Sequence, residues 1–295
     1  MKTPEPSTTP PENLNGATGR DARATLPIER AIRARIAAGQ KALVPFLTAG
    51  YPDMATFVEL LRIVEQSGCD CVEVGLPFSD PIADGPTIQF SNHESLLAGT
   101  TLPTTLAAVA SAGVKLPMIA MGYFNPILAY SPARFVEDAR QAGFRGVIVP
   151  DVPLDDFPPE GEHEPDSLPA AVVALSTGWE RILLAAPTTT ALRLKRLAKA
   201  TRGFLYAVTI AGVTGARSDL ATETIEFLQR AKAACRRPVL AGFGISNPET
   251  ARRVAAHCDG VIVGSALINC IRNGDKPGAV GRVAKFLREL RTALG

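Results

Sequence analysis

The chain has 295 residues, of which 46% are hydrophobic and 20% are charged. This composition predicts a soluble globular protein that can bury one large core or two modest ones. Lys and Arg number 31 against 29 Asp and Glu, so no strong overall field favours binding to nucleic acid or to an anionic membrane, and an anion site could only be local.

The first 26 residues contain four prolines among Ser, Thr, Asn and Gly, at positions 4, 6, 10 and 11. A segment of this composition buries too little apolar surface to offset the conformational entropy lost on ordering, so it is predicted to be a disordered tail. The tail lacks the apolar core of a signal peptide, and its acids Glu5, Glu12 and Asp21 argue against a plastid transit peptide. No apolar run in the chain approaches the roughly 18 residues that a membrane span needs. We therefore expect one catalytic domain over residues 27–295.

The five cysteines are scattered and odd in number, which fits reduced residues of a cytoplasmic protein better than a disulfide framework. Cys69 and Cys71 form a CxC pair, which is a weak metal signal. None of the three histidines lies near this pair in sequence. Small buried apolar residues are the favoured interpretation, and we predict no metal site.

Before the first predicted strand, Ile28, Ile32 and Ile36 recur at helical spacing with arginines opposite. They predict an additional N-terminal helix. From residue 42 onward, eight short apolar runs alternate with amphipathic stretches, which predicts strands that are each followed by a helix. The runs cover residues 42–48, 71–75, 117–122, 146–150, 181–186, 204–209, 238–242 and 260–263.

Both faces of these runs are apolar, whereas an open doubly wound sheet usually leaves a polar edge. We therefore predict an α/β fold, a closed parallel (β/α)8 TIM barrel whose bottom the N-terminal helix plugs.

The amphipathic stretches carry the usual signals of helix boundaries. Asp53 is placed to cap the helix after the first strand and Gly68 to end it. Asn247, Pro248 and Glu249 predict the start of a helix that runs through residue 256. Apolar stripes recur at 57, 60, 61 and 64 and at 283, 286, 287 and 290. We interpret such stripes as core faces and assign them no function.

The second run places a carboxylate inside an apolar strand. Alternation puts Glu73 on the face opposite Val72 and Val74, so both faces are expected to be buried. A buried carboxylate costs on the order of several kcal/mol unless it is paired or protonated. Glu73 is therefore either a catalytic acid/base with a raised pKa or a paired structural carboxylate.

Chemistry in a (β/α)8 barrel is done at the C-terminal ends of the strands and in the loops that follow. Glu73 lies near such an end, and Asp80 and Asp84 lie in the proline-rich loop after it. The glycine-containing segments 242–246 and 263–266 lie at the ends of the seventh and eighth predicted strands. Barrels often bind phosphate there through backbone N–H groups. Simple tight turns are the alternative for these glycines.

Two other loops are ambiguous. The glycine-rich loop 211–217 is long enough to close over a ligand, or it is a plain exposed connection. The loop 121–126 puts Tyr123 at the barrel mouth, where its ring could contact an apolar ligand or belong to the rim of the core.

Several of these segments together resemble the family of tryptophan synthase alpha subunits. The resemblance covers roughly residues 46–270, and its most specific segment is 73–89. The other matching segments are 46–53, 121–126, 150–153, 212–215, 242–246 and 264–265.

The resemblance implies a carbon–carbon lyase of tryptophan biosynthesis, which performs the retro-aldol cleavage of indole-3-glycerol phosphate to indole and glyceraldehyde 3-phosphate. Matched position by position, Glu73 is the general acid/base and Asp84 holds the indole N–H. The other matches are substrate contacts at Phe46, Ile88, Tyr123, Tyr206, Thr214 and Phe243, and phosphate contacts at Gly215, Gly244, Gly264 and Ser265.

The resemblance also implies that this subunit needs no cofactor or metal of its own. Pyridoxal phosphate is expected only in a partner beta subunit, in an alpha2beta2 complex. Asp80 is expected to be structural. Two segments depart from the family pattern: Ile210 and Ala211 replace polar residues that help the loop close, and residues 155–168 form an acidic insertion expected to lie on the surface.

Three interpretations of the function remain open from the sequence. The chain is an alpha subunit that passes indole to its partner, a stand-alone lyase that releases indole, or a non-catalytic barrel that binds a phosphorylated ligand and acts as an allosteric partner. The presence of both Glu73 and Asp84 argues against the third.

Overall fold

The computed structural model describes residues 26–154, 179–208, 222–242 and 244–295. Within these residues a single sheet contains nine parallel strands. They are Ala42–Thr48 (β1), Val72–Gly75 (β2), Met118–Met121 (β3), Phe144–Ile148 (β4), Glu180–Arg181 (β5), Leu183–Ala185 (β6), Leu205–Val208 (β7), Val239–Gly242 (β8) and Gly260–Val263 (β9). The predicted α/β barrel is confirmed.

The sheet curls into a nearly closed barrel in which β1 pairs with both β2 and β9. Its two edges are β5 and β6, which Ile182 alone separates. The predicted fifth run is thus split: its first part pairs with β4 and its second part with β7. The stagger that closes a barrel explains this split, since one strand must pair with different neighbours at its two ends.

Eleven helices of the described residues surround the sheet. They are Pro27–Ala37 (α1), Met54–Gln66 (α2), Pro86–Leu97 (α3), Leu102–Ala112 (α4), Phe124–Tyr130 (α5), Pro132–Ala142 (α6), Ala191–Ala200 (α7), Thr222–Ala234 (α8), Pro248–Ala255 (α9), Ser265–Arg272 (α10) and Ala279–Ala293 (α11). Two predicted caps are confirmed, since the Asp53 and Asn247 side chains each accept a hydrogen bond from the third residue of the following helix, at 2.8 Å.

Alternation along the strands divides the core into two clusters. Val72 and Val74 point outward and pack in the cluster between strands and helices. Cys71 points inward and packs in the barrel interior with Ile28 and Ile32 of α1, both fully buried. Since Glu73 shares the face of Cys71, its side chain enters the barrel, and the predicted burial of both faces of β2 is confirmed.

The N-terminal helix is bound to the base of the barrel by a buried carboxylate. Glu180 at the start of β5 accepts hydrogen bonds from the backbone N–H groups of Ile28 and Glu29, at 2.7 and 2.8 Å. These donors belong to the first turn of α1, where helical N–H groups have no partner within the helix. Glu180 thus acts as a remote cap for α1.

No single described helix is long and apolar enough to cross a membrane. The pair α3 and α4, bent by 98°, meets the length and composition criteria when the two helices are taken together.

Candidate functional site

A cavity of about 550 Å³ opens at the C-terminal end of the barrel. Residues at the ends of β1, β2, β3, β7 and β9, together with the loops and helices that follow them, form its walls. The described residues that line it are Phe46, Glu73, Asp84, Gly85, Ile88, Met121, Tyr206, Gly244, Ile245, Ser246, Ile262, Gly264, Ser265, Ala266, Asn269, Cys270 and Phe286. Two carboxyl groups therefore share one largely apolar space.

Glu73 is the more deeply buried of these two carboxyl groups. Its side chain is 1% exposed, and its Oε1 has no hydrogen-bond partner among the residues that the structure describes. Burial raises its pKa from an ordinary value of 4.5 to about 8. At neutral pH Glu73 is consequently a protonated acid that faces the cavity, which is suited to general acid/base chemistry.

Asp84 lies on the loop between β2 and α3, and the loop is held on both sides. The Gln89 amide donates to the Asp84 carbonyl oxygen at 2.9 Å. The Tyr123 hydroxyl accepts a hydrogen bond from Ala83 N–H at 2.9 Å and donates one to Asp84 Oδ2 at 3.1 Å. These contacts aim the carboxyl group into the cavity.

Burial and a hydrogen bond act in opposite directions on the Asp84 carboxyl group. Desolvation raises its pKa to about 6, against a lowering effect of the Tyr123 hydroxyl. The pKa values of Glu73 and Asp84 therefore lie on either side of neutral pH. Near pH 7 the site holds one carboxylic acid and one carboxylate, so it can donate a proton at one position and accept a hydrogen bond at another.

Aromatic and aliphatic side chains form the walls between the two carboxyl groups. Phe46 on β1 and Tyr206 on β7 form an apolar slot together with Ile88 and Met121. Each ring lies against an inward-facing glycine of the neighbouring strand: a Cβ at Gly75 would overlap Phe46, and one at Gly242 would overlap Tyr206. Such a slot suits a flat apolar ring.

The far side of the cavity has the features of an anion site. Gly264 precedes α10, whose first hydrogen bonds run from the N–H groups of Leu267 and Ile268 to the Gly264 carbonyl. The N–H groups of Ser265 and Ala266 come earlier in the helix, where they have no helical acceptor. Together with Gly244, this helix N-terminus presents backbone N–H groups and a positive dipole end to the cavity.

The structure brings eight of the residues singled out from the sequence to one cavity: Phe46, Glu73, Asp84, Ile88, Tyr206, Gly244, Gly264 and Ser265. Tyr123 instead contacts Asp84 and lines a separate small cavity next to it. Asp80 is exposed and accepts a hydrogen bond from Ser79.

Some predicted residues lie outside the described part of the chain. Thr214, Gly215 and Phe243 are among them, as are Ile210, Ala211 and the acidic insertion 155–168.

The cavity also includes residues that were not predicted from the sequence. Met121 and Ile262 stand at inward positions near the ends of predicted strands, so alternation could have identified them. Asn269 and Cys270 lie on α10, and Phe286 lies on α11. Phe286 belongs to a stripe interpreted as a core face, and periodicity gave no sign that it borders a cavity.

Comparison with known proteins gives consistent matches. The family model described as tryptophan synthase alpha chain matches residues 32–294. The tryptophan synthase alpha chain of Geobacter sulfurreducens is 42% identical over 258 residues, covering 87% of this chain and 94% of that protein.

Solved structures agree with these sequence matches. The tryptophan synthase subunit alpha of Legionella pneumophila has a TM-score of 0.80 and 31% identity, with 92% of this chain and 99% of that one covered. A chain of the tryptophan synthase of M. tuberculosis, in an aminoacrylate-bound form, has a TM-score of 0.76 and 32% identity, with 92% and 100% covered.

Proposed function

The chain belongs to the tryptophan synthase alpha chain family, whose members are carbon–carbon lyases, and we propose that its cavity cleaves indole-3-glycerol phosphate with Glu73 as the acid/base and Asp84 as the acceptor for the indole N–H. The observation that carries this assignment is the pair of carboxyl groups on one apolar cavity, where burial raises the pKa of Glu73 to about 8 and that of Asp84 to about 6.

The retro-aldol reaction needs two proton transfers, one to the substrate and one from it. A proton must be added to indole C3, and another must leave the side-chain hydroxyl on the carbon that becomes the aldehyde. Protonated Glu73 supplies the first, and the carboxylate that results takes the second as the bond from C3 to the side chain breaks. The acid is regenerated in the same turnover. Glu73 lines the cavity, and its Oε1 has no hydrogen-bond partner among the described residues.

Asp84 acts on the charge that develops in the ring. Protonation at C3 gives a cationic indolenine whose N–H becomes a stronger donor. A carboxylate held at this position stabilises that cation more than it stabilises the neutral substrate, which is the condition for lowering the barrier. The Tyr123 hydroxyl and Gln89 keep Asp84 in place, so little reorganisation is needed.

The remaining contacts of the substrate follow from the shape of the cavity. The indole ring lies in the slot formed by Phe46, Ile88 and Tyr206, and the phosphate lies at the N-terminus of α10 against Gly244, Gly264 and Ser265. Thr214, Gly215 and Phe243 complete this set on the basis of the sequence resemblance. In this proposal the reaction uses no cofactor or metal of this subunit.

Relatives of the chain are parts of tryptophan synthase, which implies a beta subunit as partner. We place the partner at the barrel mouth, where Ile82 on the Asp84 loop is 84% exposed and Leu128 on α5 is 44% exposed. An alpha2beta2 assembly in the cytoplasm, with pyridoxal phosphate in the beta subunit, is the finer form of the proposal. The catalytic domain in this proposal is residues 27–295.

The test is an assay of products with wild-type protein and the variant Asp84→Asn. Wild type should convert indole-3-glycerol phosphate to equal amounts of indole and glyceraldehyde 3-phosphate. Asp84→Asn should lose turnover while it still binds indole-3-propanol phosphate, which lacks the reacting hydroxyl. Near wild-type turnover in this variant would refute the role of Asp84, and the absence of both products from wild type would refute the function.

The same assay separates the partnered subunit from a stand-alone lyase. Indole release is measured with and without added beta subunit. Strong activation supports the partnered subunit, and fast turnover without the partner supports the stand-alone enzyme.

A further inference from the structure

A second, much smaller cavity shares three lining residues with the large one, namely Phe46, Asp84 and Met121. Its volume is about 10 Å³, which is on the scale of a single water molecule. Its walls include the apolar residues Phe46 and Leu76, and three of its residues are polar: Asp84, Asn92 and Tyr123. A space of this size with several polar groups is the kind of site that holds one ordered water rather than staying empty.

Asn92 is the least expected of these polar residues. It lies on the buried face of α3 and is 4% exposed, yet its Oδ1 has no hydrogen-bond partner among the described residues. The neighbouring polar groups of this face are satisfied, since the Ser91 hydroxyl bonds with Thr48 and the Ser95 hydroxyl donates to the Ala49 carbonyl. An unsatisfied buried acceptor costs about 1–3 kcal/mol, so the position of Asn92 needs an explanation.

Asp84 has hydrogen-bonding capacity left over. An ionised carboxylate accepts up to about four hydrogen bonds, and Asp84 receives one at Oδ2 from Tyr123. The same residue borders both the small cavity and the large one. A group in the small cavity can therefore act on a carboxylate that also borders the substrate cavity.

We propose that the small cavity binds one water molecule, which donates one hydrogen bond to Asn92 Oδ1 and one to the Asp84 carboxylate. Asn92 is then a positioning residue: it touches no substrate and acts through the water on Asp84. The water satisfies the buried acceptor and, together with Tyr123, fixes the orientation of the carboxyl group. The catalytic consequence rests on the proposed role of Asp84, whereas the water site itself does not.

A donor directed at a carboxylate favours its charged form and lowers its pKa. The other titratable groups that face Asp84 are Tyr123 from the β3–α5 loop, Glu73 from β2 and Tyr206 from β7. Asp151 lies behind Tyr123. All of these groups remain in place when Asn92 is replaced, so a shift in the pKa of Asp84 comes from the Asn92 side chain or from the water that it holds, and the crystal structure distinguishes the two.

The first test is direct. A crystal structure of the ligand-free wild-type chain, at a resolution that shows ordered waters, should contain one water within hydrogen-bond distance of both the Asn92 carboxamide and the Asp84 carboxylate. An empty cavity, or an Asn92 carboxamide that bonds elsewhere, overturns the proposal.

The second test removes the water. Asn92→Leu keeps the size of the side chain but removes its acceptor, and it should raise the pKa of the Asp84 carboxyl group in a ¹³C NMR titration. Its kcat for indole release should fall by about tenfold, with little change in KM. Asn92→Ser should restore much of both properties, because its hydroxyl can hold the water.

Thr105→Val is the matched control. Thr105 Oγ1 is also buried without a partner among the described residues, but Thr105 borders neither cavity. This variant should leave both the pKa of Asp84 and kcat unchanged, and equal effects of Thr105→Val and Asn92→Leu would overturn the proposal. An unchanged pKa in Asn92→Leu overturns it too. Failure of the role of Asp84 would appear separately, as turnover retained by Asp84→Asn.

Discussion

Two buried glutamates at opposite ends of the barrel have different surroundings. Glu180 at the base is fully buried, and its carboxylate oxygens accept backbone hydrogen bonds at 2.7 and 2.8 Å. Glu73 at the mouth is equally buried, but its Oε1 has no hydrogen-bond partner among the described residues, and it faces a cavity of about 550 Å³.

Burial raises the pKa of both residues, to about 7 for Glu180 and about 8 for Glu73. A raised pKa therefore does not identify the catalytic group. What distinguishes Glu73 is that it lines the cavity and that its Oε1 has no hydrogen-bond partner among the described residues, whereas the oxygens of Glu180 hold α1 on the barrel.

The largest effect is expected on turnover. Glu73→Gln cannot exchange a proton and should reduce kcat for indole release by about 10²–10⁴-fold. Glu180→Gln should leave the turnover of the folded protein close to that of wild type. A steady-state assay measures kcat for indole release in both variants, and circular dichroism confirms that they are folded. Similar losses of turnover in the two variants would mean that the contrast in hydrogen bonding between Glu73 and Glu180 does not identify the catalytic residue.

Glu73→Gln, at the barrel mouth, should raise the stability of the fold although it lowers turnover. The folded-state pKa of Glu73 is about 8 against an ordinary 4.5, so the native state holds a proton that the unfolded chain has lost between these values. The associated stability is fully present below about pH 4.5 and is lost as the pH rises to about 8.

Glu73→Gln does not titrate and escapes this loss, which is about 1.4 kcal/mol for each unit of pKa shift. Its free energy of unfolding should exceed that of wild type by up to a few kcal/mol at pH 9, with the gain shrinking toward pH 4. Denaturant unfolding at several pH values measures this. A constant difference at all pH values would contradict the raised pKa.

Glu180, at the bottom of the barrel, should behave as a structural residue. At pH 8, Glu180→Gln loses one of the two charge-assisted contacts to the first turn of α1 and should lower the free energy of unfolding by about 1–3 kcal/mol. Hydrogen exchange should show the loss concentrated at Ile28 and Glu29. No destabilisation would mean that α1 is held by Ile28 and Ile32 packing alone.

The smallest effect is the pH dependence of the wild-type rate. The value of kcat/KM should rise as Asp84 ionises near pH 6 and fall as Glu73 loses its proton near pH 8. Beyond each limb the change approaches tenfold per pH unit. Asp84→Asn should remove the acidic limb from any residual activity. A rate that is flat between pH 5 and 9 would exclude the proposed protonation states.

Much of this molecule was predictable from the sequence alone. Two-residue periodicity placed Glu73 on the inner face of β2, and the count of apolar runs gave the barrel, because both patterns depend on neighbours along the chain. The helix after the first strand and its Asp53 cap were predictable for the same reason. The segment 73–89 was specific enough to indicate the family.

The tertiary structure decided which of the buried carboxylates is satisfied. Glu180 finds its donors 151 and 152 residues away, and no local pattern specifies such a pairing. The split of the fifth strand at Ile182, the approach of Phe286 to the cavity and the meeting of Asn92, Asp84 and Tyr123 likewise depend on barrel closure. Local periodicity fixes the face on which a side chain lies, but the groups opposite it are set by contacts between segments distant in sequence.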